Sequence, residues 1–282
     1  MRLFLLTTLT MLAFAANSLL NRAGLLPGGL SAEAFGVLRL LSGAVMLAGL
    51  VILRSGAFHL GGAGRGIGVL SLLTYIFGFS FAYNALDTGV GALILFGMVQ
   101  VTMFAGSVLL GERPPVLRWL GATVAFGGLV WLLWPGGAIA ISPLHGAAMA
   151  AAGAGWGVYS LNGRRPGDPM QATAANFAIA TLACLPLLAV LPVASDIAQA
   201  PLWALSLAVV SGAVTSGLGY ALWYSVLPHL QGSVAAVAQL SVPVLAMAAG
   251  GVLLGETLSL TFLLATAIVL GGVALSVLSP KT

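Results

Sequence analysis

Apolar residues run in blocks of about 18–24, separated by short polar stretches, from one end of the chain to the other. Each block is long enough to cross roughly 30 Å of hydrocarbon. Blocks of this kind predict helices over about 3–22, 33–54, 66–84, 90–111, 116–134, 143–162, 169–192, 202–224, 232–254 and 259–278. A membrane β-barrel would show short segments of alternating polarity instead. The expected fold class is therefore all-α: a polytopic membrane protein with ten transmembrane helices.

Within that pattern the tetrapeptide Leu-Leu-Gly-Glu occurs twice, at 109–112 and 253–256, in each case closing a long apolar helix. Other segments match at nearly the same offset. Residues 14–22 read FAANSLLNR and residues 156–164 read WGVYSLNGR. Thr74 and 81–86 align with Thr215 and 222–227, Gly127-Gly128 with Gly271-Gly272, and Phe35 with Phe177. The chain thus divides into a first five-helix repeat, 1–135, and a second, 143–282. Five is an odd number, so the second repeat is expected to enter the bilayer upside down relative to the first. Such inverted repeats place a substrate site at their interface near the midplane. The repeat also bears on the first helix. Arg2 followed by an apolar run and Ala13-Phe14-Ala15 resembles a cleavable signal, but a helix with a counterpart in the second repeat is expected to belong to the mature fold.

Composition sharpens this picture. The chain is 60% hydrophobic and 6% charged, with a mean hydropathy of +1.11; soluble domains carry roughly 25% charged residues. Abundant glycine (38 residues) suits close helix packing, and Gly121/Ala125, Ala246/Gly250 and Ala267/Gly271 are candidate contact pairs. With the N-terminus inside, Arg2, Arg54, Arg65, Arg113, Arg118, Arg164, Arg165 and Lys281 fall on the inner side, against Arg22 and Arg39 toward the outer side. That bias predicts cytoplasmic termini. Trp131, Trp134, Trp203 and Trp223 read as interfacial anchors. The basic residues are scattered over short loops and form no surface for nucleic acid. The single cysteine, Cys184, forms no internal disulfide.

Two five-helix repeats, each with a Gly-Glu closing its fourth helix, resemble the drug/metabolite transporter superfamily and its EamA branch, over about residues 3–278. The resemblance implies a carrier of small organic metabolites, with export of amino acids as a frequent activity. The aromatic amino acid exporters are one subfamily it suggests. It also implies a central cavity lined by helices one to four and six to nine. Pro243 aligns with Val99, so the two halves are not mechanically equivalent.

The residues that would carry transport are polar or aromatic groups deep in the spans, which tend to face protein or water. They are Asn17, with Phe14 and Asn21 on the same stripe; Arg39; Tyr75, Phe79 and Tyr83; Gln100; Trp156 and Tyr159; Asn176; Tyr220; and Gln239. As a set they suit a substrate with an apolar body held by a few polar groups. Packing is the plainer role for each aromatic, and helix-to-helix bonding for Asn17, Gln100 and Gln239. Arg39 can attract a carboxylate or snorkel to the outer surface. Glu112 and Glu256 suit capping or loop bonding. Gly97 and Pro243 are candidate hinges.

Asp and Glu are missing from the middle of every predicted span, so the usual carboxylate proton relay is not visible and facilitated diffusion or exchange stands as an option beside proton coupling. His59, His145 and His229 lie in loops or at helix ends, and no intramembrane pair of Asp exists, so an intramembrane protease is not expected. No metal site or cofactor is expected. The partners are a small-molecule substrate and the lipid bilayer, with the protein a monomer or dimer. A drug-like or lipid-like amphiphile is the alternative cargo.

Overall fold

The structure is a computed structural model and describes residues 1–109, 111, 114–134, 141–163, 167–230 and 232–278, with the side chains of 232–237, 277 and 278 left out. Glu112 and Leu110 of the first Leu-Leu-Gly-Glu copy, Arg113, Arg164, Arg165 and Lys281 lie outside the described residues. Among the described residues the fold is helical throughout, without strands. In chain order the helices are α1 (Arg2–Gly24), α2 (Ala32–Ser55), α3 (Arg65–Ala82), α4 (Thr88–Leu109), α5 (Val116–Leu133), α6 (Pro143–Asn162) and α7 (Pro169–Ala183). There follow α8 (Leu185–Val190), α9 (Val193–Gln199), α10 (Leu202–Val210), a π-helical stretch Ser211–Leu218, α11 (Gly219–Val226), α12 (Gly232–Leu253) and α13 (Leu260–Leu278).

Seven helical stretches among the described residues are long and apolar enough to cross a membrane. The molecule is therefore a multi-pass membrane protein. The seventh expected span is broken. Pro186 has no N–H to continue the ladder, so α7 ends at Cys184, whose N–H bonds to Ala180 and Thr181, and α8 restarts with Pro186 in its first turn. The eighth is continuous but not uniform: α10 widens into the π stretch before α11 resumes. Asp168 starts α7 by accepting from the N–H of Met170 and Gln171, a standard N-cap.

Each half of the chain packs largely on the other. The main contacts are α3 and α4 with α6, α2 with α7 and the π stretch, α1 and α4 with α12, and α5 with α13. Glycine makes the tightest of these possible. A Cβ on Gly153 would sit 2.6 Å from the Leu95 carbonyl, and one on Gly155 would sit 2.8 Å from the Ser71 carbonyl. So α6, rich in Gly and Ala, slides between the backbones of α3 and α4. Between α5 and α13, a Cβ on Gly272 would sit 2.8 Å from the Gly121 carbonyl. The Gly121/Ala125 pair behaves as expected, but the Ala267/Gly271 pair is exposed, and Gly271 has nothing near it. The neighbouring position, Gly272, faces α5. Trp131, Trp134 and Trp203 are 45%, 64% and 45% exposed, as anchors should be. Trp223 is 7% exposed and packs edge-on against Phe14, so it is a core residue and not an anchor.

The second Leu-Leu-Gly-Glu copy ties the halves together. Gly255 turns the chain with φ +68° after α12, and Glu256 reaches the start of α4. Both its carboxylate oxygens accept from the Thr88 N–H at 2.9 Å, and Oε1 also accepts from the Thr88 hydroxyl at 2.8 Å. Arg22 lies 3.9 Å away. A carboxylate at a helix N-terminus satisfies a free N–H and the helix dipole together. Glu256→Ala is expected to cost about 1–2 kcal/mol of stability, read as a lower melting temperature in detergent. Glu256→Gln, which keeps an acceptor, should lose less; equal melting of wild type and both variants would refute the capping role.

Candidate functional site

The largest buried concentration of aromatic and polar side chains lies between the two halves. Phe14, Asn17 and Ser18 of α1 meet Tyr75 and Phe79 of α3, with Leu95 and Phe96 of α4 closing one side. Trp156 of α6 and Tyr220 of α11 close the other. They surround a cavity of about 10 Å³, room for no more than about one water molecule. The rings fill the centre. Trp156 lies 4.9 Å from both Tyr75 and Tyr220, and Phe14 meets Trp156 and Tyr220 edge-on at 6.5 and 5.9 Å. Offset and edge-on contacts of this kind favour the complementary charge of ring face and ring edge.

Polar side chains behind this wall form one network. Asn17 Oδ1 accepts from the Ser211 and Thr215 hydroxyls at 2.8 and 2.6 Å, and Asn17 Nδ2 donates to Ser216 Oγ at 3.3 Å. Ser216 Oγ also accepts from Arg39 Nε at 3.1 Å, while Arg39 Nη2 donates to the Tyr75 hydroxyl at 2.7 Å. The guanidinium stands 5.0 Å from the Tyr75 ring centre and 5.1 Å from that of Phe79, within cation–π range. Arg39 is 0% exposed, so it does not snorkel. Its Nη1 and the Tyr220 hydroxyl are buried without a hydrogen-bond partner.

Polar contacts also join the halves at both ends of α2. At the Ser31 end, the Ser31 N–H donates to Asp196 at 2.9 Å, and Arg22 donates to the Tyr83 carbonyl at 2.9 Å beside Glu256. At the Arg54 end, Arg54 lies 3.5 Å from Asp168, and Arg65 Nη1 donates to the Ala172 carbonyl at 2.6 Å and to Asn176 Oδ1 at 2.7 Å. Asn176 Nδ2 in turn donates to the Tyr159 hydroxyl at 3.2 Å, and Tyr159 stacks on Trp156 with centroids 5.4 Å apart.

The chamber therefore gathers Asn17, Tyr75, Phe79, Trp156 and Tyr220, with Arg39 directly behind its wall. Tyr159 and Asn176 form a link from the chamber to Arg65. Tyr83 lies just beyond, edge-on to Phe79, its hydroxyl donating to the Thr88 carbonyl at 3.2 Å. Gln100 on α4 and Gln239 on α12 are half-buried and do not line the cavity. Gly97 packs against the Leu129 side chain of α5, and Pro243 is buried inside an unbroken α12. Three contributors were not among the sequence candidates: Ser211, Thr215 and Ser216, whose convergence depends on the π stretch. Arg65 was read only as a marker of topology. Phe14, by contrast, was legible from its i−3 spacing to Asn17.

Comparisons with known proteins add the following. Residues 145–278 match the EamA-like transporter family. The chain is 48% identical over 284 aligned positions to uncharacterized protein PA1977 of Pseudomonas aeruginosa, covering 99% of this chain and 96% of that one. A solved structure described only as "Crystal structure of protein" superposes with a TM-score of 0.64, covering 98% of this chain and 97% of that one at 20% identity. At that identity the likeness is one of fold.

Gly212 sets how closely the π stretch approaches α2. A Cβ there would collide with the Ser42 hydroxyl and the Arg39 carbonyl. Gly212→Val is expected to cost about 1–3 kcal/mol and to lower the melting temperature. Gly49→Ala, at a position with open space around it, serves as the control and should leave melting unchanged or slightly raised; parallel behaviour of the two would refute the contact.

Proposed function

We propose that the chain, whose second half matches the EamA-like transporter family, is a secondary carrier working by alternating access around the aromatic chamber. Its cargo is a small organic metabolite with an aromatic or otherwise apolar body, amino acids foremost, moved outward across the bacterial inner membrane. The observation that carries this reading is the convergence of matched positions. Phe14 and Trp156 align between the proposed repeats, as do Phe79 and Tyr220, and all four line one cavity. A site on the axis of ten helices in two inverted five-helix repeats would have that property.

In this reading both termini are cytoplasmic. The Arg54–Asp168 and Arg65–Asn176 contacts close the inner side, and Arg22–Glu256 and Ser31–Asp196 close the outer side. A cavity of about 10 Å³ admits no metabolite, so one set of contacts must part for cargo to enter. Gly97 and Pro243 are the proposed flexing points. Acidic residues are absent from the middle of the spans, which fits facilitated diffusion or exchange; a monomer suffices. A second reading, a drug-like or lipid-like amphiphile, draws support from an apolar groove of about 460 Å³ on α2 and α10, lined by residues such as Leu41, Val45, Leu53 and Val209.

The test is uptake into proteoliposomes, without and with a pH gradient, of labelled Phe, Trp, Thr, Met, a sugar phosphate and a quaternary-amine drug. Saturable Phe or Trp uptake without a gradient is expected, reduced at least about tenfold by Trp156→Ala. Uptake of the quaternary amine alone would replace the amino acid reading with the amphiphile one. Pro243→Ala is expected to slow Phe turnover with little change in half-saturation. Unchanged turnover would dispose of the hinge.

A further inference from the structure

We infer that Arg39 is the seat of a substrate carboxylate, and that the chamber takes aromatic monocarboxylates lacking an amino group at least as readily as aromatic amino acids. This rests on the carrier reading above and narrows its substrate class.

The first ground is unspent donor capacity. A guanidinium offers five N–H donors in a planar fork and accepts nothing. Here Nε is committed to Ser216 and Nη2 to Tyr75, while Nη1 has no partner. The Tyr220 hydroxyl stands within hydrogen-bonding reach of Arg39 and Tyr75 but makes no bond of good geometry to either, so it is free to turn toward a bound acceptor. Both atoms are sealed from solvent. Buried donors normally find acceptors, and two open donors beside one cation suit a carboxylate, which accepts through two oxygens.

The second ground is uncompensated charge. The ion pairs among the described residues are Arg22–Glu256 and Arg54–Asp168, which leave Arg39 without a carboxylate. The Tyr75 and Phe79 rings offset only part of the cost of a buried cation. The match of Phe35 with Phe177 places Thr181 where a second arginine would stand. The chamber is thus aromatic on both sides but cationic on one, so a ligand with one anionic end and an apolar body has a single favoured orientation.

The third ground concerns the ammonium group of an amino acid. Asn17 Oδ1 already accepts two hydroxyl donors, and Glu256 is engaged with Thr88. An open acceptor, Asn21 Oδ1, lies a turn further along α1 and outside the cavity lining. An ammonium held near Arg39 would meet at best neutral oxygens, such as Ser18 Oγ in the cavity wall, with like charge behind it. Its removal costs the complex little.

The experiment compares three probes with one ring and chain: 3-phenylpropionate, phenylalanine and 2-phenylethylamine. Binding to the purified full chain in detergent is measured by calorimetry, and competition is measured against labelled phenylalanine uptake in proteoliposomes. The acid is expected to bind and compete at least as tightly as phenylalanine, and the amine at least tenfold more weakly. Arg39→Gln should weaken the acid at least tenfold, and Tyr220→Phe by several-fold, with melting temperatures checking that each variant is folded. Should Arg39→Gln fail to fold, Tyr220→Phe and the ranking of the three probes still decide. An amine that binds better than the acid, or acid binding indifferent to both substitutions, would overturn the carboxylate site while phenylalanine uptake kept the carrier reading alive. Arg39-dependent acid binding without uptake of any probe would sink the carrier reading and leave the site standing.

Discussion

A guanidinium fully enclosed in a helix bundle needs acceptors, and much of the central architecture follows from supplying them to Nε and Nη2 of Arg39. A regular α-helix would keep Ser211 and Thr215 on one face but turn Ser216 roughly a quarter of the way round from Thr215. The π stretch, with its i→i+5 bonding, turns residues four and five apart onto one face, where the three hydroxyls meet Asn17 and Arg39. Gly212 lets that face come close enough. From the other side, α3 supplies the Tyr75 hydroxyl and two ring faces. Breaking one of these bonds would leave a buried charge less solvated, a cost borne by three elements at once.

The halves meet through this polar centre and through backbones brought together by glycine. Association of membrane helices gains little from burying apolar surface, because lipid is as apolar as leucine. Close packing and polar bonds must therefore carry it. That is why α6 presents Gly153 and Gly155 to α4 and α3, and why Glu256 spans from the end of α12 to the start of α4. It also suits a carrier. The directional bonds among these contacts can part and re-form at modest cost.

The long apolar helices and most of the cavity lining were legible in the sequence, because a polar or aromatic side chain in a long apolar run has few places to go; the break after Cys184 and the short α8 and α9 were not. Asn17, Tyr75, Phe79, Trp156 and Tyr220 all stood out on that ground. What stayed hidden depends on three-dimensional pairing. The partner of Glu256 lies 168 residues away, and Ser211, Thr215 and Ser216 look like ordinary small residues until the helix widens. Trp223 misled because depth was judged from the expected end of a span that in fact continues to His229. Gln100 and Gln239 show the converse: polarity at mid-span marks a buried position without saying which face of the helix meets the chamber.

In the proposed carrier the chamber is also joined to the inner set of contacts. Arg65 bonds Asn176, Asn176 bonds Tyr159, and Tyr159 stacks on Trp156 in the chamber wall. A ligand that inserts between Trp156 and its neighbours must displace rings that now touch at about 5 Å. Tyr159 lies flat against Trp156, so that displacement strains the Asn176 bond and, through it, the hold of Arg65 on α7. Only a ligand with different affinity for the open and closed arrangements shifts the balance between them. An apolar body that needs the space now filled by rings provides that difference. The Ser31 end is reached by a longer route, from Trp156 through the Tyr75, Phe79 and Tyr83 rings to Arg22, so in the proposed cycle cargo entering the chamber would act on the two closures through different links.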